Sequence, residues 1–265
     1  MTDAQRDETL KTGIEQLDTG AVRLAIETFR TYRDRHPGDP DGWFYLGDAL
    51  AEDGRHPDAI EAYRQGLTLA PDDLDAMTTL GDLLFEAGKH KEALAMYEAV
   101  RVRDPEDADA LVSIGLVYNS LEKTEDAISS YRQALQMEPD NVFALNALGD
   151  ALYGAGDTQG AVDAYQKCID IDPADPAAHF NLGELFYDID EYEEAEEACR
   201  EAVRLDPAYS MAYLTLGGIC MDQDRTAEAI SFFEQYLTYE KSHQAADMIA
   251  EVKAVIEGLK QELNA

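Results

Sequence analysis

The register of this chain never slips. Glycine recurs at Gly13, Gly47, Gly81, Gly115, Gly149, Gly183 and Gly217, and alanine at Ala25, Ala59, Ala93, Ala127, Ala161, Ala195 and Ala229, each series stepping by 34 residues without an insertion. Proline closes six of the seven windows, at Pro37, Pro71, Pro105, Pro139, Pro173 and Pro207. Self-similarity at a period of this size marks stacked supersecondary units. The 265 residues therefore read as one array, with repeats over 6–39, 40–73, 74–107, 108–141, 142–175, 176–209 and 210–243, a capping helix over 244–265 and no internal domain boundary.

Each window has the same physical reading. In 40–73, Trp43, Leu46 and Leu50 stand at offsets 4, 7 and 11, which is helical spacing for one buried face, and a second helical stretch carries offsets 20, 24 and 27. Two helices per window follow. Proline at offset 32 cannot continue the second helix. Asp39, Asp73, Asp107, Asn141 and Asp175, two places later, are suited to cap the next first helix. The constant Gly at offset 8 and Ala at offset 20 predict that the helices cross there with backbones too close for a larger side chain. One pair cannot bury its own apolar face, so neighbouring pairs must stack.

This pattern resembles the tetratricopeptide repeat family, whose helix-turn-helix signature these residues reproduce over 6–243. The resemblance implies an all-α fold, a right-handed superhelix or α-solenoid of antiparallel helix pairs, whose first helices line a concave groove that binds partner proteins. Fold does not fix function. The groove residues therefore have to supply the rest.

Charge narrows the partner. With 55 acidic and 21 basic side chains the formal charge is -34, which disfavours phosphate backbones and so excludes nucleic acid as the expected partner. Apolar runs are short and interrupted, so no signal peptide, membrane insertion or transmembrane segment is expected. Cys168, Cys199 and Cys220 occupy packing offsets, which predicts buried free thiols and a reducing, cytoplasmic setting.

The acidic residues are segregated by face. The family resemblance implies that offsets 2, 5, 9, 12 and 13 of each first helix line the groove. Across the 84 residues of the first helices in repeats two to seven there is no Lys or Arg, and eleven of twelve acidic residues fall at those offsets: Asp41, Asp48, Glu52, Asp75, Asp82, Glu86, Asp109, Asp150, Glu184, Asp188 and Asp222. Phe44, Phe85, Phe143, Tyr153, Phe180 and Tyr187 stand beside them and could stack on a cation. Asn119, Asn146 and Asn181 could hydrogen-bond a peptide backbone. The expected partner is a protein or peptide with a basic segment, bound without catalysis by an adaptor or chaperone-like module. Several of these residues also suit plainer roles. Asp41, Asp75 and Asp109 favour a helix dipole whatever binds, and Phe44 and Phe85 could simply pack between helices. The charge could also be an adaptation to high salt in a self-assembling scaffold.

The first repeat departs from the pattern. Thr9, Thr12 and Gln16 replace its inter-helix apolar set, while Leu10, Ile14 and Leu17 form a stripe of their own. That stripe is either an end repeat rolled onto its neighbour or a surface for self-association. A Tyr-rich convex face (Tyr63, Tyr97, Tyr131, Tyr165) is a second candidate for assembly. Residues 1–5 are expected to fray, and Lys241, where proline is expected, should alter the last turn. The basic clamp with which some family members grip an acidic C-terminus is missing, since Lys11 is its lone candidate. No catalytic constellation emerges: His36, His56, His90, His179 and His243 lie in separate repeats without metal-ligand spacing, and the glycines form no phosphate loop. No metal or cofactor is expected.

Overall fold

A computed structural model describes residues 3–263, and every regular element among them is a helix. They follow the sequence windows as antiparallel pairs: α1 (Asp3–Asp18) with α2 (Val22–Arg35), α3 (Asp41–Glu52) with α4 (His56–Leu69), α5 (Leu74–Glu86) with α6 (His90–Arg103), and α7 (Ala108–Ser120) with α8 (Thr124–Met137). The same pairing continues with α9 (Val142–Gly154) and α10 (Thr158–Ile171), α11 (Pro176–Asp188) and α12 (Tyr192–Leu205), and α13 (Ser210–Asp222) and α14 (Thr226–Tyr239). A 3-10 turn over His243–Ala245 leads into α15 (Ala246–Leu263). These elements fall into two compact units, the first ending at Pro139 and the second beginning at Asp140. Each is an α-solenoid stack. No helix among the described residues is long and apolar enough to cross a membrane.

The expected caps form at α5, α7, α9 and α11, where Asp73, Asp107, Asn141 and Asp175 accept from backbone N–H groups at 2.8 to 2.9 Å. Asp39 behaves differently. Pro40 occupies the cap of α3, while Asp39 accepts the Tyr32 hydroxyl and, at 3.3 Å, the Asp41 N–H.

A turn signal runs through the repeats that sequence reasoning missed. The residue at offset 15 takes left-handed φ in every window: 73° at Gly20, 74° at Gly54, 69° at Gly88 and 82° at Gly156, but also 57° at Glu122, 62° at Asp190 and 59° at Asp224. It ends the first helix with the backbone reversal that glycine adopts freely. Three acidic substitutes hide an otherwise regular series.

The helix crossing also differs from expectation in one respect. The alanines of the constant series are fully buried as anticipated. The atoms nearest to where a Cβ would sit on the constant glycines, however, mostly belong to the ring at offset 24 rather than to the opposite backbone. They lie 2.6 Å away at Gly47 (Tyr63), 2.6 Å at Gly81 (Tyr97), 2.4 Å at Gly115 (Tyr131) and 2.4 Å at Gly217 (Phe233). In the sixth repeat Cys199 replaces the ring, and there the backbone does close in, with Cys199 N at 3.1 Å and Ala195 O at 3.2 Å. The glycine is a seat for an aromatic side chain.

This corrects the convex-face expectation. Tyr63, Tyr97, Tyr131 and Tyr165 are buried between the helices of their own repeats, because their rings fill the space over the glycines. Leu10, Ile14 and Leu17 are half-buried and packed on the core of the first unit. The thiols of Cys168, Cys199 and Cys220 are free and buried, and burial pushes the first two up to about 11 and about 12. At the ends, residues 1 and 2 of the expected tail lie outside the described residues, and α1 already begins at Asp3. α14 stops at Tyr239 despite Lys241, and α15 buries Val252 and Ile256 while Leu263 is exposed.

Candidate functional site

The acidic first-helix face is built from three kinds of position. In the first unit, Asp41, Asp75 and Asp109 are exposed in the first turns of α3, α5 and α7, where the positive end of the helix dipole favours them. Glu52 and Glu86 are the last residues of α3 and α5, where the dipole disfavours a carboxylate. Helix stability therefore does not account for them. His56 Nδ1 lies 3.9 Å from Glu86 Oε2. Asn119 is exposed near the end of α7.

Asp48 and Asp82 are the third kind, set mid-helix and held from within. Tyr63 donates its hydroxyl to Asp48, and Tyr97 donates to Asp82 at 2.6 Å. Burial raises the Asp48 carboxyl above its ordinary range, against which the Tyr63 hydrogen bond works. Burial and the neighbouring carboxylates push both phenols far up, so they remain neutral donors. A phenol orients a carboxylate without cancelling its charge.

The first-unit aromatics face inward more than expected. Phe44 lies over Gly66, whose absent Cβ would sit 2.2 Å from its ring, and stacks on Tyr63 with centroids 5.6 Å apart. Phe85 is half-buried and sets an edge against His90 at 5.4 Å. Both serve packing within the stack.

In the second unit the first-helix face is cross-linked between repeats. Tyr153 of α9 donates to Asp188 of α11 at 3.2 Å, and Tyr187 of α11 donates to Asp222 of α13 at 2.8 Å. Both pairs are separated by 35 residues, one repeat plus one position. Gly218 makes room for the second, because a Cβ there would lie 2.8 Å from the Tyr187 hydroxyl oxygen. Asn181 donates to Asn146 at 3.1 Å over the same interval, so each already satisfies part of the other. Asp150 accepts from Tyr165 in the manner of Asp48. Glu184 is raised by burial and by the charges of Asp188 and Asp150. Phe143 is 63% exposed.

Phe180 does not belong to this face. It is 7% exposed, packs with Cys199, Ala202, Ala212 and Leu216, and stands 5.2 Å from the Tyr209 ring. The helical offset is right for a groove residue, but the chain entering α13 folds Tyr209 across it.

Among the described residues no Lys or Arg pairs with Asp48, Glu52, Asp75, Asp82, Asp150, Glu184, Asp188 or Asp222. The arginines engage acids of second helices and loops instead: Arg64 with Glu92, Arg103 with Asp72 at 3.1 Å, Arg204 with Glu201 at 2.6 Å, and Arg225 with Glu196 at 2.7 Å. Such a surface offers fixed acceptors to a cation. Among the described residues no group of three or more His, Cys, Asp or Glu side chains is placed to hold a metal ion.

Comparison with known proteins covers most of the chain. A tetratricopeptide repeat family model matches residues 10–73, 78–142, 120–176, 146–210 and 180–246, and a second tetratricopeptide repeat model matches 44–103. No curated protein sequence matches. Among solved structures, the chain is similar to a tetratricopeptide repeat protein from Parabacteroides merdae, with 17% identity and a TM-score of 0.77 over 93% of this chain and 98% of that one. MamA from Desulfovibrio magneticus RS-1 is 24% identical with a TM-score of 0.60 over 63% of this chain and 95% of its own. YrrB, a tetratricopeptide repeat protein with an unusual peptide-binding site, is 20% identical with a TM-score of 0.52 over 72% and 99%. At these identities the likeness speaks for the fold.

Proposed function

The chain belongs to the tetratricopeptide repeat family, and from that premise we propose that it is a non-enzymatic interaction module that receives a basic segment of another protein on its acidic first-helix face. The family's fold generally serves protein interaction or scaffolding, and YrrB is one member with a peptide-binding site. The observation that carries the reading is the separation of charge. Among the described residues, Asp82, Asp188 and Asp222 accept from neutral tyrosines and Asp48, Glu52, Asp75, Asp150 and Glu184 have no Lys or Arg paired with them, while arginines pair with acids of second helices and loops. A concentrated negative face speeds the encounter with a cationic partner and makes binding depend on ionic strength. Salt adaptation accounts for a large net charge but not for the pairing of Arg204 and Arg225 with second-helix acids while Glu52, Asp75, Asp188 and Asp222 have no Lys or Arg among the described residues. Buried, unbridged thiols fit a reducing, cytoplasmic setting.

Glu52→Lys with Glu86→Lys provides the test, because lysine at a helix C-terminus suits the dipole and leaves folding intact. A Lys/Arg-rich peptide titrated against both proteins should bind the variant about tenfold more weakly in low salt, with the difference shrinking as salt rises. Equal affinity for the two proteins, or wild-type binding that strengthens with salt, would remove the proposal.

A further inference from the structure

α15 covers the end of the second unit incompletely. Beside α13 and α11 it leaves a cleft of about 330 Å³ whose lining includes Phe233 and Tyr187. Met211, Met221 and Met248 converge on it and are 40%, 39% and 42% exposed. They are three of the chain's seven methionines, so their meeting in one solvent-open place is a feature of the cleft and not of composition. Unbranched thioethers adapt their shape to an incoming apolar group. The rim is acidic: Glu184 and Asp188 come from α11, Glu251 comes from α15, and no Lys or Arg lines the cleft.

We infer that this cleft is the anchor point for a large apolar residue flanked by Lys or Arg in the partner's segment, a proposal that rests on the functional reading above and narrows it to one place in the second unit. The apolar walls gain by excluding water from the anchor, and the rim carboxylates meet the flanking cations. Glu184, whose carboxyl is raised by burial and by the charges of Asp188 and Asp150, gains from a nearby positive charge. A second copy of this chain is a poor occupant, since each copy carries a formal charge of -34.

The experiment uses two synthetic peptides, one with a Lys-Lys-Leu-Phe-Lys-Lys core and one with Ser in place of Leu and Phe, titrated by fluorescence anisotropy against the full chain and against the M211Q/M221Q/M248Q variant. The wild type should prefer the apolar peptide by at least about tenfold, and the variant should lose that preference while binding the Ser peptide unchanged. A preference kept by the variant, or absent from the wild type, overturns the anchor. Binding of the Ser peptide in either case leaves the acidic-face reading standing, whereas failure of both peptides to bind removes both. Should the triple variant unfold by circular dichroism, methyl NMR of the wild type decides instead: shifts on adding the apolar peptide must be largest at Met211, Met221 and Met248. Concentration-dependent light scattering that these substitutions abolish would assign the cleft to a second copy and overturn the proposal.

Discussion

Tyr97 of α6 places its hydroxyl 2.6 Å from Asp82 of α5, and its ring lies over Gly81, the residue just before that aspartate. The glycine, the aspartate and the tyrosine thus work as one device. Gly47, Asp48 and Tyr63 repeat it, as do Gly149, Asp150 and Tyr165. In the fourth repeat Leu116 stands where the aspartate would be. The device ties the acidic face to the core of the second, third and fifth repeats.

Removing the hydroxyl with Tyr97→Phe keeps the ring over Gly81 and deletes one hydrogen bond. The expected cost is about 1 kcal/mol in urea unfolding, with no loss of affinity for a cationic peptide, because the Asp82 charge remains. A stability equal to wild type would mean that the contact contributes nothing in solution.

Gly217→Ala should destabilise by about 1 to 3 kcal/mol although alanine is the better helix former, since the new Cβ meets the Phe233 ring. Part of that loss should vanish in a Phe233→Leu background. Additive effects of the two substitutions in a double-mutant cycle would argue against the ring as the obstacle.

Glu122→Gly, Asp190→Gly and Asp224→Gly each replace a left-handed acidic residue by the one that adopts φ near 60° without steric cost. Each should raise stability by about 0.5 to 1 kcal/mol, seen as a higher melting temperature that accumulates in the triple variant. A fall in melting temperature at two of the three sites would show that these side chains make contacts worth more than the strain.

Acid should first stabilise this protein. The carboxyls of Asp48 and Glu184 are raised by burial, so their ionised forms cost the native state stability at neutral pH; as pH falls through the raised values the native state takes up protons before the unfolded chain does. The net charge acts in the same direction. Glu196 behaves oppositely: burial pushes it up, but the Arg200 and Arg225 hydrogen bonds together hold it below the ordinary range, and its contribution is lost only in stronger acid. Melting temperature should therefore rise from pH about 7 to about 5 and fall below about 4. A steady decline from neutrality downward would contradict this balance.

Much of the architecture is legible in the sequence because a strict period repeats the constant glycine and alanine seven times and the closing proline six times. The helix pairs, the caps at Asp73, Asp107, Asn141 and Asp175, the buried alanines and the absence of basic residues from the first helices all follow from residue type at a fixed offset. Periodicity assigns a residue to a face of its own helix, and nothing more. Whether Phe180 meets solvent, whether Tyr63 and Tyr97 turn outward or lie over glycines, and whether Asp188 and Asp222 receive Tyr153 and Tyr187 depend on how one pair leans on the next. Those neighbours are set by packing density and ring volume across the stack, where side chains from separate helices compete for the same space. The acidic composition was therefore written into the chain, but the choice of a neutral phenol over a guanidinium as its internal partner came from the packing.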